Sequence, residues 1–151
     1  ILQHNVSVFS SNYNLYGDLS WRVMETLRIL LGEDKVEVYS VDEAFLDLDI
    51  FDKKDVESLA LQIKNTVELW TGIKVSVGIA PTKVLSKVAN RLAKKNKAQT
   101  NCVMILDTPE KVTEALQKTA VEDVWGVGRQ YALKLRDTWG IFARYHRGAV
   151  G

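Results

Sequence analysis

The stretch VEVYSVDEAFLDLDI, residues 36–50, puts two acids side by side inside an apolar, strand-like run. Val36, Val38, Tyr39 and Val41 precede the acids, and Phe45, Leu46, Leu48 and Ile50 follow them. β-Branched and aromatic residues in short alternation favour a pleated, half-buried state. Carboxylates enter such a run only where a turn, a basic partner or a metal ion compensates them. In a continuous strand Asp42 and Glu43 would point to opposite faces, so serving one site requires a hairpin bend. At a bend the pair suits a hard divalent cation such as Mg²⁺, which takes one or two protein carboxylates beside substrate phosphates. Two exposed turn acids without a ligand fit the same spacing, and both readings stand at this point. Asp47 and Asp49 read as solvent-facing strand residues.

On either side of this run the periodicity predicts helices and strands in turn. YGDLSWRVMETLRILLG (residues 16–32) is a helix with Asp18 or Ser20 as its cap, Val23, Leu27, Leu30 and Leu31 as its apolar stripe, and Gly32 closing it. KKDVESLALQIKNTVELWTG (53–72) is a second helix, with Val56, Leu59, Ile63, Val67 and Trp70 on one side. IKVSVGIAP (73–81) alternates as a strand, PTKVLSKVANRLAKKNK (81–97) is a third helix, and CVMIL (102–106) is a last strand. The order helix, strand, strand, helix, strand, helix, strand implies an α+β fold, a split β-α-β sheet with helices on one face. Residues 107–140 are helical throughout and break at Trp125, Gly126, Val127 and Gly128. A boundary near Leu106, followed by a small helical subdomain, is therefore expected.

The chain has 151 residues, 46% hydrophobic and 26% charged, enough for a real core. No apolar run, Ile29-Leu30-Leu31 among them, approaches the length of a membrane span. No secretory signal is present and the single Cys102 has no intrachain partner, which points to a cytoplasmic setting. The sequence opens at Ile1, as a processed product or a piece of a longer chain would. A net charge of +1 conceals a strong segregation. Residues 33–57 carry ten acids against three lysines, residues 83–97 six bases and no acid, and residues 129–147 five bases and one acid. An acidic centre with two basic segments suits an enzyme that holds metal ions and phosphates together. Separately solvated surface faces are the commoner explanation of any single run.

In the third helix Val84, Leu85, Val88, Ala89 and Leu92 form the expected buried stripe, and Lys83, Lys87, Arg91, Lys94 and Lys95 recur on another face. A basic face without acids lacks intrahelical ion pairs and suits phosphate, although solubility alone would also account for it. VEDVWGVGRQYALKL (121–135) has the pattern of a helix-hairpin-helix. Its glycines let backbone N–H groups approach a phosphate at the positive end of the next helix. Trp125, Gly126, Val127, Gly128, Arg129 and Lys134 are the candidate DNA-backbone contacts. His4 and His146 read as surface residues, Cys102 as core, and Trp21, Trp70 and Trp139 as packing residues.

These three motifs, in this order, resemble the Y-family translesion DNA polymerases over about residues 9–141. YSVDEAFLDL is similar to their second palm motif, VSVGIAPTKVLSKVANRLAKK to a palm strand and the nucleotide-side helix, and VEDVWGVG to the hairpin of their thumb. FSSNYNLYGDLSWRVM and AKKNKAQT are most similar to the UmuC branch, the catalytic subunit of bacterial DNA polymerase V. The resemblance implies that Asp42 and Glu43 are two of three carboxylates holding catalytic Mg²⁺ ions in a two-metal nucleotidyl transfer. It gives Lys94, or alternatively Lys95, the contact to the incoming triphosphate. It implies residues 1–14 as a remnant of the fingers, 15–106 as a palm without its N-terminal strand, and 107–151 as a partial thumb. Primer-template DNA and a nucleotide are the implied substrates, and a UmuD-type accessory subunit, RecA and the sliding clamp the implied partners of a full-length protein. The role is error-prone synthesis in DNA repair and SOS mutagenesis. No residue matches the family's first metal aspartate, so the expected fragment, truncated at both ends, does not turn over alone. A nucleotidyl cyclase-like palm and a non-enzymatic DNA-binding module are the rival readings. Ser40-Val41 stands where cyclases carry a glycine pair.

Overall fold

A computed structural model of the chain describes residues 7–48 and 55–139, which divide into two compact units. The first holds residues 7–48 and 66–73, the second residues 55–65 and 74–139.

In the first unit Asn12 opens helix α1 (Tyr13–Leu31), its side chain accepting a hydrogen bond from the Leu15 N–H at 3.1 Å. The helix thus begins before the Asp18 or Ser20 cap expected from sequence, because Asn12 is itself a good cap. Asp18 instead pairs with Arg22 one turn on, at 2.9 Å. Met24, Thr26, Leu27 and Leu31 are buried, whereas residues 13–18 are exposed. Gly32 ends the helix at a φ of 107°, a value glycine alone takes cheaply, and its N–H donates to the Arg28 carbonyl at 2.8 Å. A 3-10 turn, Glu33–Lys35, leads into strand β1 (Val36–Ser40), which pairs antiparallel with β2 (Glu43–Leu46). Tyr39 and Phe45 meet across this pair with ring centres 5.7 Å apart. Lys35 and Asp47 close its open end with an ion pair at 2.9 Å.

Helix α2 (Val56–Thr71) gives its first part to the second unit and its last turns to the first. Ala60, Ile63 and Val67 are buried along it, and Gly72 closes it at a φ of 72°. Trp70, 57% exposed, lies past the last buried residue, and Trp21, 61% exposed, projects from the outer part of α1. Neither is the packing residue expected from the sequence.

The second unit is built on a βαβ crossover. Strands β3 (Val77–Ile79) and β4 (Val103–Ile105) pair in parallel, joined by α3 (Lys83–Lys95) and the short α4 (Lys97–Thr100). Parallel neighbours need such a connection, and a helix supplies it. Thr82 caps α3 by accepting from the Leu85 N–H at 3.3 Å. Val88, Ala89, Leu92 and Ala93 are its buried residues; Val84, expected in the stripe, is 37% exposed at the first turn. At Gly78 strand and helix lie in close contact. A Cβ there would stand 2.2 Å from the Asn90 nitrogen and 2.4 Å from the Ser86 carbonyl oxygen.

Helix α5 (Pro109–Gln117), capped by Thr108, follows β4 directly. Val88, Ala89, Leu92, Leu106 and Ala115 form one buried cluster, with Met104 and Val112 packed against it. Residue 106 therefore shares a core with elements on both sides of it. Cys102, read as core, is half-buried and carries a φ of 59°. A 3-10 turn, Val121–Asp123, and helix α6 (Arg129–Trp139) complete the described chain. Mixed helices and small sheets make an α+β fold; among the described residues the strands form two two-stranded sheets rather than one split sheet. His4, Asp49 and His146 lie outside the described residues, as does the Trp139 side chain. No described helix is long and apolar enough to cross a membrane.

Candidate active site

Asp42 and Glu43 sit at a hairpin bend. β1 ends at Ser40, β2 begins at Glu43, and Val41 and Asp42 form the two-residue turn between them. The register steps from Val38 opposite Ala44 to Ser40 opposite Glu43, so β1 absorbs one extra residue in a bulge-like irregularity. Such bulges bend a strand and re-aim its side chains. The Ser40 hydroxyl donates to Asp42 Oδ1 at 2.7 Å, fixing that carboxylate over the turn. The sequence pattern did not single out Ser40. A Ser two residues before an Asp in a turn, where local side-chain hydrogen bonds are common, was the available signal.

Asp42 is exposed and Glu43 half-buried. Two hard carboxylates, one on the turn and one on the first residue of β2, fit the one or two protein ligands that Mg²⁺ commonly takes. Among the described residues no group of three or more His, Cys, Asp or Glu side chains is placed to hold a metal ion. Other ligands would come from water, from substrate phosphates or from outside the described residues.

The basic candidates lie in the second unit. Lys94 and Lys95 are both exposed in the last turn of α3, a position the helix dipole favours for cations in any case. Arg91, counted with them from sequence, donates to Asp123 Oδ1 at 2.6 Å.

The break at residues 125–128 is a tight turn followed by a helix start. The Val127 N–H donates to the Val124 carbonyl at 3.0 Å, with Trp125 and Gly126 at the centre of the turn. Gly126 has a φ of 88°, as the third position of a type II turn demands. The Gly128 carbonyl accepts from the Ala132 N–H at 2.9 Å, which makes Gly128 the cap of α6. A Cβ at Gly128 would meet nothing within 4 Å, and its φ is not among the positive ones. Neither space nor backbone strain therefore requires a glycine here, and its place as the cap of α6 gives only a mild preference for one. Gly126, Gly128 and Arg129 are exposed, while Trp125 and Val127 are half-buried. Lys134, one turn into α6, is exposed as well. Glu122 pairs with Arg136, tying the 3-10 turn to α6.

A family model described as impB/mucB/samB matches residues 1–91. The chain belongs to that family. The UmuC-branch resemblance read in the sequence is borne out. The chain is 46% identical over 131 residues to UmuC of Salmonella typhimurium, an alignment covering 86% of this chain and 31% of that protein. It is 34% identical over 124 residues to DNA polymerase IV of Saccharolobus solfataricus, covering 81% of this chain and 33% of the relative. A crystal structure of a DinB family error-prone DNA polymerase from Sulfolobus solfataricus superposes with a TM-score of 0.71 at 28% identity, over 89% of this chain and 39% of that one. The chain thus spans about a third of the length of the impB/mucB/samB and DNA polymerase IV relatives described.

Proposed function

We propose that the chain is the catalytic-palm portion, with part of the thumb, of an error-prone translesion DNA polymerase that takes primer-template DNA and deoxynucleoside triphosphates. The observation that carries this is the hairpin, which brings Asp42 and Glu43 to one bend and gives Asp42 a fixed orientation through Ser40. Both carboxylates serve as ligands for divalent cations, most naturally Mg²⁺. Such ions, when bound, activate a hydroxyl and stabilise a leaving pyrophosphate.

The remaining groups bind and position. Lys94, with Lys95 as the alternative, meets the negative charge of the incoming triphosphate. Residues 125–128 present backbone N–H groups and the positive end of α6 to a DNA phosphate, with Arg129 and Lys134 adding charge. Residues 15–106 are assigned to the palm and 107–151 to the thumb, with residues 1–14 a remnant of the fingers. A UmuD-type subunit, RecA and a sliding clamp are the proposed partners of a full-length protein.

The chain by itself is expected to hold duplex DNA weakly and without sequence preference, and to show no metal-dependent extension. Fluorescence anisotropy on two unrelated duplexes tests the first expectation. Binding at about 10⁻⁴–10⁻⁶ M that weakens with salt supports it, and a strong preference for one duplex contradicts it.

A further inference from the structure

We propose that Arg91 is a positioning residue rather than a phosphate contact: through Asp123 it braces the hairpin turn against helix α3. The proposal rests on the reading that residues 125–128 meet a DNA phosphate, and it assigns a role to residues that reading leaves out.

Two acids, Glu122 and Asp123, stand immediately before the turn. Left alone they would repel the phosphate that the turn is built to receive and would compete for the positive end of α6. Each is instead engaged by an arginine. Glu122 pairs with Arg136 of α6, and Asp123 accepts from Arg91 at 2.6 Å across 32 positions of sequence. The second pair matters more for geometry, because Arg91 comes from a different part of the fold. It lies on α3, next to Leu92, which is buried in the core cluster. A turn tied to α3 is tied to a helix whose Val88, Ala89 and Leu92 belong to the buried core cluster. In the linear sequence Arg91 is one of six bases in residues 83–97 and looks available to DNA; in the fold it is already committed.

Both partners are partly exposed, with side-chain accessibilities of 58% for Arg91 and 30% for Asp123. An exposed pair contributes little to global stability. Its effect should therefore appear locally, in the order of the turn and in the charge beside it.

The test uses the 151-residue chain in four forms: wild type, Arg91→Ala, Arg91→Lys, and the charge swap Arg91→Asp with Asp123→Arg. Hydrogen exchange at the Val127 and Ala132 amides, which hold the turn and the start of α6, reads the brace without DNA. Duplex affinity at several salt concentrations reads its consequence. Arg91→Ala should exchange faster at both amides and bind more weakly by up to about fivefold, the range open to an exposed pair, with an unchanged salt slope. The lysine variant and the swap should recover both properties. Unchanged exchange in Arg91→Ala overturns the brace. A salt slope lowered by about one, not recovered by the swap, makes Arg91 a direct phosphate contact instead. If wild type binds no duplex, the hairpin reading falls, while the exchange data still decide whether the turn is braced.

Discussion

Gly78 of β3 lies directly against the backbone of α3 at Asn90, so closely that a Cβ would come within 2.2 Å of the Asn90 nitrogen. The Ser76 hydroxyl, two residues earlier, donates to Asn90 Oδ1 at 2.5 Å. Backbone atoms cannot swing aside as a flexible side chain can. Gly78→Ala should therefore push β3 away from α3 and cost at least about 2 kcal/mol, toward the upper end of overpacking effects. Thermal unfolding measures this, and an unchanged Tm would mean that strand and helix are not so closely packed.

The two glycines of the hairpin should separate fold from binding. Gly126 has a φ of 88°, so Gly126→Val strains the turn and lowers both stability and DNA affinity. Gly128 needs neither a positive φ nor space within the chain. Gly128→Val should cost the fold no more than about 1 kcal/mol, through a poorer helix cap, yet remove duplex binding. Full affinity in the Gly128→Val protein would reduce the turn to a connection between helices.

Lys94→Ala, in a full-length polymerase carrying this segment, should raise the KM for the incoming nucleotide with a smaller effect on DNA affinity. A single ammonium on a triphosphate acts on that ligand specifically. Steady-state kinetics with varied nucleotide check it, and an unchanged KM moves the contact to Lys95 or removes it.

Around α5 the acid limb of stability should be slight and traceable. A hydrogen bond from Lys111, at 2.7 Å, holds the Asp107 carboxyl below its usual range, and Lys118 does the same for Glu114 at 2.6 Å. A carboxyl with a depressed folded-state pKa adds stability above its unfolded value, and that stability is lost as pH falls through the folded one. Tm should therefore drop slightly more in wild type than in Lys111→Met between about pH 5 and about pH 3, where carboxylates titrate. An identical acid response in the two proteins would show that the Asp107 pair contributes nothing.

The site was legible wherever it depended on local pattern. The run around Asp42 and Glu43 reads as two strands meeting at a bend, which the apolar flanks permit and two acids serving one site require. The start of α6 at Arg129 is marked by its glycines. Long-range geometry was not legible. Nothing near Arg91 in sequence indicates that Asp123 occupies it, and nothing in VSVGIAP distinguishes Gly78 as a packing contact from an ordinary small residue. Trp21 and Trp70 misled because helical spacing places a side chain on a face but does not say whether anything covers it. The cap at Asn12 was passed over because Asp18 and Ser20, equally good capping residues, lie inside the same helix.

The most direct test is primer extension by a full-length polymerase carrying this segment, with Mg²⁺ titrated against wild type, Asp42→Ala and Glu43→Ala. Both residues lie at the bend rather than in a buried core, so their removal should leave the unfolding temperature nearly unchanged. Nucleotide incorporation should be abolished in both variants at every magnesium concentration. Incorporation at the wild-type rate in either variant, or early melting in one with activity kept in the other, would show that the two acids only shape the turn.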